Sequence, residues 1–346
     1  MQRPGSHRLQ YPPYGVGQVI LANGQTLNMK HEKLRSLACS GCIVVVVLSL
    51  VVLSACTPQE PAAPTETTAE AAAEAPAEAT SREAPGQSLG ITSVPNLRDL
   101  GGYQTADGKT VARGLVYRSN QLAHISPEDM EAIAGLNLKV DYDLRTAAEK
   151  DALPDELPPG VEYVWLDVLA DLPGAGPAEL EKLMADKEAA NAELGGGKAA
   201  EMFGESYREF VSLPSAKAEF RKLFLGLGDQ EQLPALFHCT TGKDRTGWAA
   251  AALLSLLGVP TDVIMEDYLR SNDNIIPMYQ EVIDGFVAAG GEESIPLAIL
   301  GVREEYLETS FDEMEKEFGS IENYFAEGLG IDAEHQQAIR DIYLQP

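Results

Sequence analysis

From residue 91 onward the chain alternates between two hydrophobic periods. Short apolar or alternating runs at 115–119, 138–144, 161–168 and 233–238 predict strands. The segments between them place apolar residues at helical spacing. Strands interleaved with helices predict an α/β fold with a central, largely parallel sheet flanked by helices. Ser126-Pro127-Glu128-Asp129 supplies a cap residue, a first-turn proline and first-turn acids to a short helix that Gly135 closes. A second, strongly apolar helix covers 249–257 and ends at Gly258. The stretch 179–210 is rich in Ala, Glu and Lys, with Gly195, Gly196 and Gly197 in its middle. It predicts a helical insertion hinged on glycine, a candidate lid. From Thr261 to the end the pattern predicts a helical C-terminal region.

The first 90 residues follow a different logic. Lys30, Lys33 and Arg35 precede an apolar run at 43–53 that ends in Leu53-Ser54-Ala55-Cys56. The run is shorter than the roughly 20 residues a bilayer span needs. A basic flank, a short apolar run and small residues are the layout of an export signal. The last four residues resemble the bacterial lipobox, which implies cleavage before Cys56 and lipidation of its thiol; an uncleaved anchor helix is the alternative. Met29 followed by Lys30 makes an ordinary signal start, whereas residues 1–28 carry no export logic. Residues 57–90 are mostly Pro, Ala, Glu and Thr, a composition that stays solvated. The expected organisation is a signal segment 1–55, a lipidated cysteine and linker 56–90, and one domain 91–346. The protein is then an exported envelope lipoprotein held to a membrane through Cys56. Thr57 is no Asp retention signal, so in a cell with two membranes the outer one is expected.

Charge narrows the function classes. The chain has 26 Lys+Arg against 53 Asp+Glu, a formal net charge of -27, which opposes binding to a nucleic-acid backbone. No pair of Cys-x-x-Cys units stands at zinc-ribbon spacing, and neither a metal nor a cofactor is expected. Cleavage before Cys56 removes Cys39 and Cys42, leaving Cys239 without a disulfide partner in the domain. A lone thiol in an oxidising compartment needs a chemical reason.

That reason lies between Leu236 and Gly247. The run Leu236-Phe237-His238-Cys239-Thr240-Thr241-Gly242-Lys243-Asp244-Arg245-Thr246-Gly247 follows a strand and opens the apolar helix. A strand-loop-helix of this kind turns successive backbone N–H groups inward and adds the positive end of the helix, so it holds a tetrahedral oxyanion without a metal. No Gly stands five residues before Gly242 and Asp244 follows Lys243, so it is not a nucleotide-binding loop.

His-Cys, five residues and Arg-Thr-Gly resemble the signature of the cysteine-dependent protein tyrosine phosphatase superfamily. Asn96-Leu97-Arg98-Asp99-Leu100-Gly101-Gly102, Val116-Tyr117-Arg118-Ser119 and Asp143-Leu144-Arg145-Thr146 are similar to its atypical bacterial tyrosine and dual-specificity members, some of which act on phosphoinositides. The resemblance implies Cys239 as nucleophile through a phosphocysteine, Arg245 as the phosphate clamp, and Thr246 as hydrogen-bond partner of the sulfur. Thr240, Thr241, Gly242 and Lys243 would line the phosphate, with Arg145 as a further substrate contact. His238 is expected to orient the loop. For the general acid, family members share Asp244; Asp143 and Asp167, at strand ends, come second and third. The implied substrate is a phosphorylated protein, peptide or phosphoinositide. A rhodanese or arsenate-reductase reading shares the cysteine in an anion loop, but His238 and Thr246-Gly247 argue against it. A non-catalytic envelope lipoprotein that binds phosphorylated ligands is the other alternative.

Overall fold

The computed structural model describes residues 84–172 and 185–346, together with a short antiparallel backbone pairing of Val19–Ile20 with Thr26–Leu27. The chain divides into two units, 1–80 and 81–346. The apolar run at 43–53, Cys56, the linker as far as residue 83 and the start of the predicted insertion lie outside the described residues. Ordered pairing in the second unit begins before Ile91: Ser88 bridges to Arg98, and the Leu89 N–H donates to the Leu97 carbonyl.

Its centre is a five-stranded sheet. In chain order the strands are β1 (Arg98–Asp99), β2 (Val116–Ser119), β3 (Val140–Asp143), β4 (Glu162–Trp165) and β5 (Ala235–His238), arranged β1-β2-β5-β3-β4. Only β1 runs antiparallel; the other four are parallel. The expected strands at 115–119, 138–144, 161–168 and 233–238 are thus all present, each trimmed at its ends. Residues of β2, β3 and β5 are buried throughout, as strands covered on both faces must be.

Helix α1 (Pro127–Gly135) starts where the sequence predicts, with the Ser126 side chain accepting from the Asp129 N–H. Helix α2 (Ala147–Ala152) opens with a reciprocal capping box between Thr146 and Glu149. The insertion forms α3 (Lys187–Leu194) and α4 (Lys198–Ser212), separated by the predicted glycines, with Gly196 and Gly197 at positive φ. Helix α5 (Pro214–Leu227) leads into β5, and α6 (Arg245–Leu256) leaves it, almost wholly buried. The C-terminal region is mostly helical, with α7 (Thr261–Leu269), α8 (Ser271–Ala288), α9 (Ser294–Leu300), α10 (Glu304–Phe318) and α11 (Ala333–Tyr343), and Leu344–Gln345 pairs antiparallel with Thr110–Val111.

The register decides where chemistry can occur. Ser119, His238 and Asp143 stand in one row across β2, β5 and β3, and Trp165 of β4 pairs with Asp143. All four parallel strands therefore end at one level, the crevice where open parallel sheets bind ligands. The residue that follows β5, in the middle, is Cys239.

Candidate active site

The loop after β5 is built by its carbonyls. His238 Nδ1 donates to the Cys239 carbonyl at 3.2 Å and the Gln121 N–H to that of Thr240 at 3.2 Å. Asn96 Nδ2 reaches the carbonyls of Thr241 and Gly242 at 3.0 and 3.2 Å, and Arg118 Nη2 meets the latter at 2.8 Å. Four consecutive carbonyls are thus held from outside the loop. In a trans peptide the N–H points opposite to the carbonyl, so the N–H groups of Thr240 to Lys243 face the loop interior. Gly242 has φ +69, and a Cβ there would lie 2.1 Å from the Ser119 carbonyl oxygen. No other residue type fits this turn.

Cys239 is fully buried at the start of the loop. Burial pushes its thiol up, but the Arg245 charge and the Thr246 hydroxyl and N–H outweigh that and hold it below the usual thiol range, against the opposing Asp244 charge. The buried Thr246 Oγ1 has no hydrogen-bond partner of normal geometry among the described residues and stands close enough to the thiol to lower it.

Arg245 meets a residue that the sequence reading missed. Its Nη1 and Nη2 donate to Glu149 Oε2 and Oε1 at 2.8 and 2.7 Å, and Nη1 also meets the Leu144 carbonyl at 3.3 Å. Glu149 further accepts from the Thr240 hydroxyl. These bonds use the end-on pair of the guanidinium and, among the described residues, leave the side-on pair, Nε–H with one Nη2–H, uncommitted. A legible signal existed: Thr146-x-x-Glu149 spells a capping box ahead of a helix.

Two expected site residues are elsewhere occupied. Arg145 is fully buried and spends all five N–H groups on Asp143, Asp155, Gln121 and the Leu153 carbonyl. A side chain without a free donor or exposed surface cannot contact substrate, so Arg145 is structural. Asp143 accepts two of those bonds and one from the Tyr163 hydroxyl at 2.7 Å. Burial opposes its charge, but His238 and Arg145 hold the carboxyl down to about 2, leaving no proton to donate at neutral pH. Lys243 is buried as well, 2.7 Å from Asp244 Oδ1 and over the Phe203 ring of α4. The Tyr207 hydroxyl donates to the same Asp244 oxygen at 2.7 Å, so the insertion orients the loop from above its helix end. Asp167, partly buried, has its carboxyl raised by burial, against the N–H groups of Ala147 and Leu169 and the Arg245 charge.

Residues 89–345 match the tyrosine phosphatase family. The chain belongs to that family. This tyrosine phosphatase is similar over 258 residues, at 32% identity, to a tyrosine-protein phosphatase of Cupriavidus necator; the match covers 70% of this chain and 85% of that one. It is 27% identical over 273 residues to the triple specificity protein phosphatase PtpB of Mycobacterium tuberculosis, covering 72% of this chain and 96% of that protein. A tyrosine-protein phosphatase of Nostoc commune matches at 32% over 154 residues, 44% of this chain and 47% of the other. The matched region of the phosphatase contains every strand of the central sheet and the whole loop.

Proposed function

We propose that this phosphatase hydrolyses phosphomonoesters of phosphotyrosine proteins, and of phosphoinositides, through a phosphocysteine on Cys239. The observation that carries the reading is a depressed, buried thiol at the start of a loop whose first four carbonyls are held from outside. The Cys239 thiolate attacks phosphorus, the P–O bond to the leaving group breaks, and the leaving oxygen takes a proton from a carboxyl. Water then attacks the phosphocysteine, giving a proton back to that carboxylate as the P–S bond breaks, which returns the thiolate and releases phosphate. The inward N–H groups and the side-on pair of Arg245 bind the equatorial oxygens, whose charge grows in the transition state. Thr246 eases departure of the sulfur in the second step.

Asp244 is the proposed acid, because it stands in the loop near Cys239 and Tyr207 fixes its position. The raised carboxyl of Asp167 within reach of Arg245 favours a second reading in which that residue donates. On an aryl phosphate, Cys239→Ser is expected to lose turnover while still binding vanadate, and Arg245→Lys to lose most of both. The acid is the residue whose Asn variant slows a poor leaving group far more than a good one. Full activity of Cys239→Ser, or abolition by a chelator, rejects the mechanism.

The lipobox resemblance supports a second part of the proposal, an exported lipoprotein anchored through Cys56. Cells fed labelled fatty acid should label the wild type and not Cys56→Ala, with a mature N-terminus at Cys56. Recovery of protein that retains residues 43–53 rejects cleavage there.

A further inference from the structure

A buried charge cluster at the ends of β3 and β5 is not accounted for by the reaction. Asp141 and Asp143 alternate along β3 onto one face, and His238 stands level with Asp143 on the neighbouring strand. Asp155 joins them from the segment between α2 and β4. His238 Nε2 lies 3.5 Å from Asp141 Oδ2, 3.5 Å from Asp155 Oδ2 and 4.0 Å from Asp143 Oδ1. Every one of these side chains is at most 1% exposed. Among the described residues, both oxygens of Asp141 and the Nε2 of His238 lack a hydrogen-bond partner of normal geometry.

Elementary hydrogen-bond chemistry restricts what the ring can be. Nδ1 faces the Cys239 carbonyl at 3.2 Å, and a carbonyl only accepts, so Nδ1 carries a proton. A neutral ring would then aim its Nε2 lone pair at two carboxylates. Among the described residues, moreover, the three buried carboxylates have only the Arg145 guanidinium to balance them. Charge of this kind is not left uncompensated in a dry interior. A second proton on the ring supplies a positive charge and a donor at the place where both are lacking.

We propose that Asp141 and Asp155 are positioning residues that hold His238 as an imidazolium, its Nε2 proton shared between them and its Nδ1 proton fixed on the Cys239 carbonyl. The ring thus turns the first carbonyl of the loop outward with a charge-assisted bond and places a positive charge one residue from the thiolate. Burial lowers the ring's proton affinity, but the Asp141 and Asp155 charges raise it well above the usual histidine range. Burial likewise raises Asp141, against the pull of His238; one proton serves the pair, and the ring holds it because it faces both acids. A group with a raised folded value stabilises the fold fully below about pH 6.5 and loses that contribution only as pH climbs through the raised value. A divalent cation on the same three side chains is the competing occupant, but Arg145 already holds Asp155 Oδ2 and would repel it.

The charge state stands independently of the proposed reaction; only its effect on turnover rests on that reading. Nitrogen-15 NMR of the full chain with labelled histidine is expected to show one ring, absent from His238→Gln, with both nitrogens protonated and unchanged from about pH 5 to 9. In Asp141→Asn or Asp155→Asn the same ring should titrate inside that window. The variant's kcat/KM on an aryl phosphate should then fall about tenfold as pH rises through the new titration, a limb absent from the wild type. A neutral ring in the wild type at pH 7, an Asp141→Asn ring that stays charged with no new limb, or one equivalent of tightly held metal by elemental analysis would each overturn the proposal. Should the wild type show no phosphatase activity at all, the NMR titration still decides the ring.

Discussion

Glu149 grips the end-on pair of Arg245, and that grip is worth most when the carboxylate is charged. Burial raises the Glu149 carboxyl, but Arg245, Thr240 and the Thr146 N–H outweigh it and hold it well below the usual range. The group therefore contributes stability that is present above about pH 4.5 and lost as pH falls toward its folded value. Glu149→Gln keeps the shape and the capping bond but removes the charge. Its expected effect is a ten- to hundredfold lower kcat/KM, carried by kcat, because on the proposed mechanism Arg245 is no longer fixed for the transition state. The acid limb of its urea-midpoint profile should also flatten. Unchanged kinetics would show that Arg245 needs no such support.

At the scale of elements, the loop is only as well placed as the strands behind it. Asp267 of α7 receives Arg98 of β1 at 2.7 Å, Arg118 of β2 at 2.7 Å and the Tyr103 hydroxyl at 2.7 Å, all buried. Arg118 in turn holds the Gly242 carbonyl. Burial raises Asp267, but the two guanidinium charges outweigh it and keep the carboxyl ionised. Asp267→Asn leaves two buried arginines facing a neutral amide. Thermal or urea unfolding should report a loss of about 3–5 kcal/mol, the cost of breaking a buried pair from one side. The double replacement Arg118→Met with Asp267→Asn should lose less than the sum of the single variants, since both act on one network. Strict additivity would mean that the two side chains are energetically separate.

Across the whole molecule the decisive fact is a count: Cys239 is the sole cysteine of residues 57–346. A depressed thiol oxidises readily, and a sulfenic acid normally survives by condensing with a second thiol. The domain has none to offer. Peroxide should inactivate the phosphatase quickly, bound phosphate should protect it, and reductant should rescue it only when added early. Intact-mass measurement over time should show gains of two or three oxygens on Cys239 as rescue fades. Fully reversible inactivation would point instead to a backbone sulfenamide.

What the sequence determined by itself is whatever is contiguous along the chain. The strand 235–238, the turn at Gly242 and the helix from Arg245 form one uninterrupted run, so this strand-loop-helix was readable from periodicity and residue type. The largely parallel sheet followed from the alternation of strands and helices, and the helical insertion from its composition and glycines. Tertiary structure alone decided how residues distant in sequence divide the work around that loop. Asp143 read as a site residue because it ends a strand, and Arg145 through the family resemblance, yet β5 inserts beside β3 and brings His238 against that carboxylate, while Asp155 returns to close on the guanidinium. Both groups are thereby consumed inside the protein. The Thr146-x-x-Glu149 spacing by itself marks no more than a helix cap, and the placement of β5 beside β3 set Arg245 opposite Glu149. Sequence spacing encodes which faces of an element are buried; it does not encode which strand becomes the neighbour, and a buried charge takes its role from that neighbour.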